Sequence, residues 1–305
     1  IDQYIALANQ GIENKIMPPK VLMTRVLNQI KLQNVDSYSN SPFYDAFEVL
    51  PNEITSEEQK QIRQQAQIII TDVVIPSYVK LLNFFENSYY PNCRDTIGIS
   101  DIENGSQYYE LIARQFTTTE LTPDEIHNIG LSEVSRIKNE MFKIMDQVQW
   151  NGSFDEFLNF LRTDSQFYFE TSEELFTEYL ATSKRIDPLM VKLFKNLPSM
   201  PYGLKPIPME SAPDTTTAYY QRPAADGSRA GYYYVNLYMP EVRPKYEIEA
   251  LSLHEAMPGH HLQIAYTMEL DLPNFRKYGG YTAFIEGWGL YCLLYTSPSP
   301  RDSTL

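Results

Sequence analysis

The run Leu253-His254-Glu255-Ala256-Met257-Pro258-Gly259-His260-His261-Leu262-Gln263 holds three of the chain's 4 histidines within eight residues, beside a carboxylate. A second carboxylate, Glu286, follows on the otherwise apolar segment Tyr281 to Tyr291. Two imidazoles and one carboxylate, with water in the fourth position, form a known donor set for catalytic zinc. A carboxylate among aromatic neighbours supports that reading, because burying it is costly unless it is paired or metal-bound. The expected ligands of one zinc ion are therefore His254, His260 and Glu286. Glu255 is the expected general base, taking a proton from zinc-bound water.

The spacing departs from the His-Glu-x-x-His pattern, in which residues four apart share one helix face. Pro258 stands four residues after His254 and cannot coordinate. On a straight helix His260 would lie about 120° round from His254, and His261 would share its face about 10 Å further along. Neither position closes a site. Proline removes a backbone bond and glycine tolerates unusual dihedrals, so a bulge at Pro258-Gly259 is predicted that brings His260 beside His254. The alternative is His261 as ligand, with the other histidine supporting the site or facing substrate. A Pro-Gly-His-His run also reads as a plain helix-ending loop. His127, outside the cluster, reads as a surface residue.

These residues must be positioned by a large fold, which 305 residues allow. The elements read mainly as helix. Thr122-Pro123-Asp124-Glu125 supplies an N-cap hydroxyl, a proline at the first helical position and a capping-box glutamate. Ile126, Ile129, Val134, Ile137, Met141, Ile144 and Val148 follow at helical spacing. Ser56 opens a second helix, expected to stop at Pro76, and Thr171 a third, running toward Pro188. Between Pro198 and Pro240 the aromatic and β-branched segments around Thr215 to Tyr220 and Gly231 to Tyr238, flanking Asp226-Gly227-Ser228, predict a hairpin next to the histidine helix. Tyr232 to Tyr238 is a candidate edge strand for an extended peptide, with Tyr233 and Asn236 as candidate substrate contacts. A purely structural hairpin fits the same pattern.

Composition excludes some classes. With 39 acidic against 25 basic residues the net charge is -14, which opposes binding to phosphate backbones, so no nucleic-acid partner is expected. The apolar stretch Ile68 to Tyr78 carries Asp72 and Pro76 and falls short of the roughly 20 residues that span a bilayer, so no transmembrane segment is expected. Cys93 and Cys292 form no disulfide or metal-binding pattern. From Cys292 to Leu305 the apolar pattern passes into Ser/Pro-rich sequence, expected to be a non-native tail after one partial domain over 1–291.

The motif His254 to Gln263, together with Phe284-Ile285-Glu286-Gly287-Trp288-Gly289-Leu290-Tyr291, resembles the bacterial family known as domain of unknown function 885. Ser41-Pro42-Phe43-Tyr44, Leu121 to His127 and Gly231 to Asn236 add to the match, which covers essentially residues 1 to 291. Members are regarded as zinc metallopeptidases related to the gluzincins. The resemblance implies a mainly α, helical gluzincin-like fold with a small sheet, zinc on the active helix, and an exported, periplasmic or lipid-anchored location. It also implies that this chain is incomplete at both ends. The expected function is a zinc-dependent hydrolase acting on a peptide or peptide-like substrate. The alternatives are an esterase or depsipeptidase using the same site, and an inactive peptide-binding protein of the same fold.

Overall fold

The computed structural model describes residues 1–296, with side chains to Leu293, so most of the expected tail lies outside the described residues. The chain divides into two compact units, Ile1–Tyr109 and the part from Glu110 on, a boundary that no composition shift announces. It is mainly α with one small three-stranded sheet.

The first unit carries helices α1 (Asp2–Glu13), α2 (Lys20–Leu32) and α3 (Ser56–Asn92). Thr55 and Glu58 form a capping box at the start of α3. The helix does not stop at Pro76, contrary to the sequence expectation. A π-helical turn at Ile70–Val74 shifts the hydrogen-bond register just before the proline, and the helix continues through Ile75–Phe84. The helix that carries the apolar stretch is thereby longer than expected. By length and composition alone α3 could cross a membrane, and 11% of its most apolar window is buried; Lys60, Arg63, Asp72, Lys80 and Glu86 punctuate it.

The second unit holds α4 (Pro123–Gln147), α5 (Ser172–Ile186), β1 (Tyr202–Pro206), β2 (Ala218–Gln221), β3 (Gly231–Val235), α6 (Ile248–Glu255), α7 (His260–Glu269) and α8 (Thr282–Thr296). Capping boxes at Thr122/Glu125 and Thr171/Glu174 start α4 and α5 where the sequence places them. The apolar stripe of α4 faces outward, however: Ile129, Val134, Ile137 and Ile144 are all exposed. The fully buried side chains of α5, Leu175 and Tyr179, instead meet Tyr233, Val235, Ile248 and Ala256, so one core joins α5, the sheet and the end of α6. A neighbouring cluster of Ile186, Met190, Leu253, Met257 and Leu262 seats the α6–α7 junction.

The expected hairpin forms between β2 and β3, which pair antiparallel, with Gly227 at φ 76° in the turn where Ser228 donates to Asp226. A third strand, β1, pairs parallel with β3, giving the order β1-β3-β2. Strand β3 is therefore central, which corrects the expectation that Tyr232 to Tyr238 forms an edge. Both sides of β3 are occupied, and the edge of the hairpin is β2. Asn236 N–H donates to Thr217 O, which sets the alternation along β2. Tyr219 and Gln221 turn their main-chain groups toward β3, while Ala218 and Tyr220 turn theirs to the free side.

Candidate metal centre

The break that the sequence marks at Pro258-Gly259 separates two helices rather than bulging one. Helix α6 ends at Glu255 and α7 begins at His260. Across the gap His261 N–H donates to Ala256 O at 3.1 Å, a five-residue span, and Gln263 N–H then donates to Gly259 O at 3.1 Å. The chain thus accommodates the two extra residues before α7 starts. Glycine is required at 259 because a Cβ there would run into the carbonyl groups of Leu253 and His254.

The restart sets His260 against His254, their rings 4.6 Å apart and nearly perpendicular at 79°. Glu286 reaches both from α8, its Oε2 lying 3.4 Å from His254 Nε2 and 3.7 Å from His260 Nε2. One donor atom from each of these three residues lies within 4.8 Å of the others. Helix α8 is held in that position by its own neighbours. Trp288 Nε1 donates to Pro258 O at 2.9 Å, and Gln263 Nε2 donates to Phe284 O at 3.1 Å. Gly289 packs directly on the His254 imidazole. Sequence reasoning missed Gln263 and Gly289 as parts of the site, although both stand inside the two motifs.

Glu286 is not buried, which corrects the premise that its apolar neighbours enclose it. Its side chain is 52% exposed, and Phe284, Leu290 and Tyr291 on the same helix are exposed as well. Glu255 is the buried carboxylate, 8% exposed and 4.0 Å from His260 Nε2. Burial, and then the negative charge of Glu286, push its pKa up to about 7, and the Tyr220 main-chain N–H opposes that rise by favouring the charged form. Burial and the neighbouring His254 push the His260 imidazole down, toward its neutral, ligating form.

His261 points elsewhere. It is 2% exposed, with Nε2 3.0 Å from Met200 O and Nδ1 2.8 Å from Tyr220 Oη. A carbonyl can only accept, so Nε2 carries the proton and Nδ1 accepts from the tyrosine. Neither nitrogen is free to ligate. His127 is exposed on α4, apart from the cluster.

The two candidate substrate contacts are also internal. Asn236 is fully buried; its Nδ2 donates to Ala212 O at 2.7 Å and Thr216 O at 3.2 Å, and its Oδ1 accepts from Tyr238 N–H at 3.0 Å. Its carboxamide fastens the loop after Ala212 and presents nothing to a ligand. Tyr233 is likewise 0% exposed and packs edge-on against Tyr179.

The residues fit zinc by two observations. The donor types suit it, and the 3.4 and 3.7 Å separations approach the edge of a tetrahedron with Zn–ligand bonds of about 2.0–2.1 Å, which is about 3.4 Å.

Comparison with solved structures finds a protein from Colwellia psychrerythraea described as a "putative lipoprotein", 30% identical in sequence with a TM-score of 0.87. The match covers 95% of this chain and 52% of that one, so this chain spans about half the length of that relative. No curated protein matches. The family model described as "Bacterial protein of unknown function (DUF885)" matches residues 1–293, and the chain belongs to that bacterial family.

Proposed function

We propose that this chain carries the metal site of a zinc-dependent peptidase. The observation that carries the reading is the convergence of His254, His260 and Glu286, with the buried Glu255 carboxylate at its side. Zinc in such a donor set supplies a Lewis acid that polarises a carbonyl and makes water a nucleophile near neutral pH. The chain's own residues supply the rest. His254, His260 and Glu286 hold the ion. Glu255 takes the proton from the attacking water and passes it to the leaving amine, and a carboxylate whose pKa is raised by burial suits both steps. An exported location fits the description of the Colwellia relative.

The test is Glu255→Gln, assayed on a fluorogenic peptide library alongside metal analysis. One zinc per chain in both proteins, with turnover in the parent only, is the expected result. Unchanged turnover in the variant, or a parent that binds no zinc, rejects the reading.

A further inference from the structure

The third histidine of the motif, His261, has both ring nitrogens committed and is among the most deeply buried side chains of the described residues. Its surroundings are shaped to admit one arrangement. Gly231, on β3, lies where any Cβ would meet the Tyr220 hydroxyl and the His261 ring. The Tyr202 ring packs 4.9 Å from the imidazole on the β1 side. Met200 O, just before β1, accepts from Nε2. The imidazole therefore ties three pieces of chain together: the segment before β1, the first turn of α7 and the edge strand β2.

Tyr220 connects this tie to the metal centre. Its side chain is held by His261. Its main-chain N–H is on the unpaired side of β2 and faces the Glu255 carboxylate. An edge strand bonded on one side only is free to shift unless something fixes it. At Tyr220 the bond that fixes it is the Tyr220 O–H to His261 Nδ1 contact at 2.8 Å, while Arg229 ties the end of the strand through Gln221 and Arg222 O.

We infer that His261 is a positioning residue, which clamps the Tyr220 side chain and so holds the free edge of β2 with the Tyr220 N–H against Glu255. The catalytic meaning of this clamp rests on the reading above, in which Glu255 moves the proton. The clamp itself is independent of it. Glutamine can reproduce the pattern, since its amide N–H₂ donates to Met200 O and its oxygen accepts from Tyr220; leucine can do neither.

The experiment measures amide hydrogen exchange across 218–222 in the full chain, with zinc content, thermal midpoint and steady-state kinetics on the fluorogenic peptide library. His261→Leu and Tyr220→Phe should speed exchange in that segment about tenfold, and His261→Gln should keep it near the parent rate. All variants should retain one zinc per chain. In the Leu and Phe variants kcat should fall while KM stays within about twofold, as for loss of an interaction that acts on the general base. Unchanged exchange in Tyr220→Phe, which removes one oxygen atom and leaves the fold intact, overturns the clamp even if His261→Leu fails to fold. Loss of zinc from a folded His261→Leu or His261→Gln overturns it too, by making His261 a ligand. A parent without turnover defeats the peptidase reading and leaves the exchange test standing.

Discussion

Replacing Gly289 by alanine should weaken the metal centre, whereas the same change two residues earlier should not. A Cβ at Gly289 would lie 2.7 Å from Cε1, 2.8 Å from Nδ1 and 3.1 Å from Nε2 of His254. Ordinary contacts begin at 3.4 Å, so the imidazole, or α8 beneath it, must move by about 0.7 Å. Metal sites tolerate distance errors of about 0.2 Å, so a shift of that size degrades ligation. Disturbing groups that orient a ligand costs about 10–100-fold in affinity, or about 1.4–2.7 kcal/mol of zinc-linked stabilisation at saturating metal. For a domain of this size that removes about 3–10 °C from the rise in melting temperature expected on zinc binding. Gly287 follows Glu286 on the same helix, and a Cβ added there would meet nothing within 4 Å, so alanine should raise stability by up to about 1 kcal/mol through helix propensity. The assay is a competitive chelator titration with melting curves with and without zinc. Equal zinc affinity in Gly289→Ala and Gly287→Ala would mean that His254 can move freely without loss of the site, contrary to this expectation.

Three further outcomes are expected. Asn236→Ala should cost about 2–4 kcal/mol in denaturant unfolding, since it strips partners from buried carbonyls, and should leave KM unchanged; a raised KM without lost stability would restore a substrate role. Thr171→Ala removes the hydroxyl that caps α5 at Glu174 N–H and should cost about 1 kcal/mol, checked by thermal melts. If zinc is held in part by His260, it should be released on acidification, because a protonated imidazole cannot ligate. Burial, and then the neighbouring His254, lower the His260 pKa and extend its neutral form to more acidic solution, so a dye-based titration should show zinc retained at neutral pH and released only at a more acidic pH than an ordinary histidine would give. Tighter binding at acidic than at neutral pH would contradict the imidazole ligands.

Helix starts are legible in the sequence because caps are local chemistry. Thr122 with Glu125, and Thr171 with Glu174, satisfy first-turn N–H groups within four residues, so the pattern determines the element. What an apolar face packs against is not local. The spacing that makes α4 amphipathic names a stripe, yet Ile129, Val134 and Ile137 remain exposed, while the core forms around Leu175 and Tyr179 instead. Strand β1 is invisible in the sequence for a related reason. Its parallel partner Gly231 is far along the chain, and its proline-rich surroundings resemble a loop until β3 pairs with it. That unseen partner is also what turns β3 from an edge into the centre of the sheet.

At the candidate metal centre, Pro258-Gly259 announces a break, and the break selects between two adjacent histidines through where α7 restarts. Starting at His260 directs that ring toward His254 and its successor toward Tyr220 and Met200. The sequence points to Glu286 for the wrong physical reason, since it is half exposed and its apolar neighbours face away from it. Its position follows from Trp288, bonded to Pro258 O, and from Gly289, seated on the His254 ring. The carboxylate is thus placed by the two small contacts that follow it on α8, and each of them reaches the break or the histidine it serves. The informative residues of Glu-Gly-Trp-Gly are therefore the tryptophan and the final glycine as much as the glutamate, and the Gly289 and Gly287 substitutions separate their contribution from that of helix propensity alone.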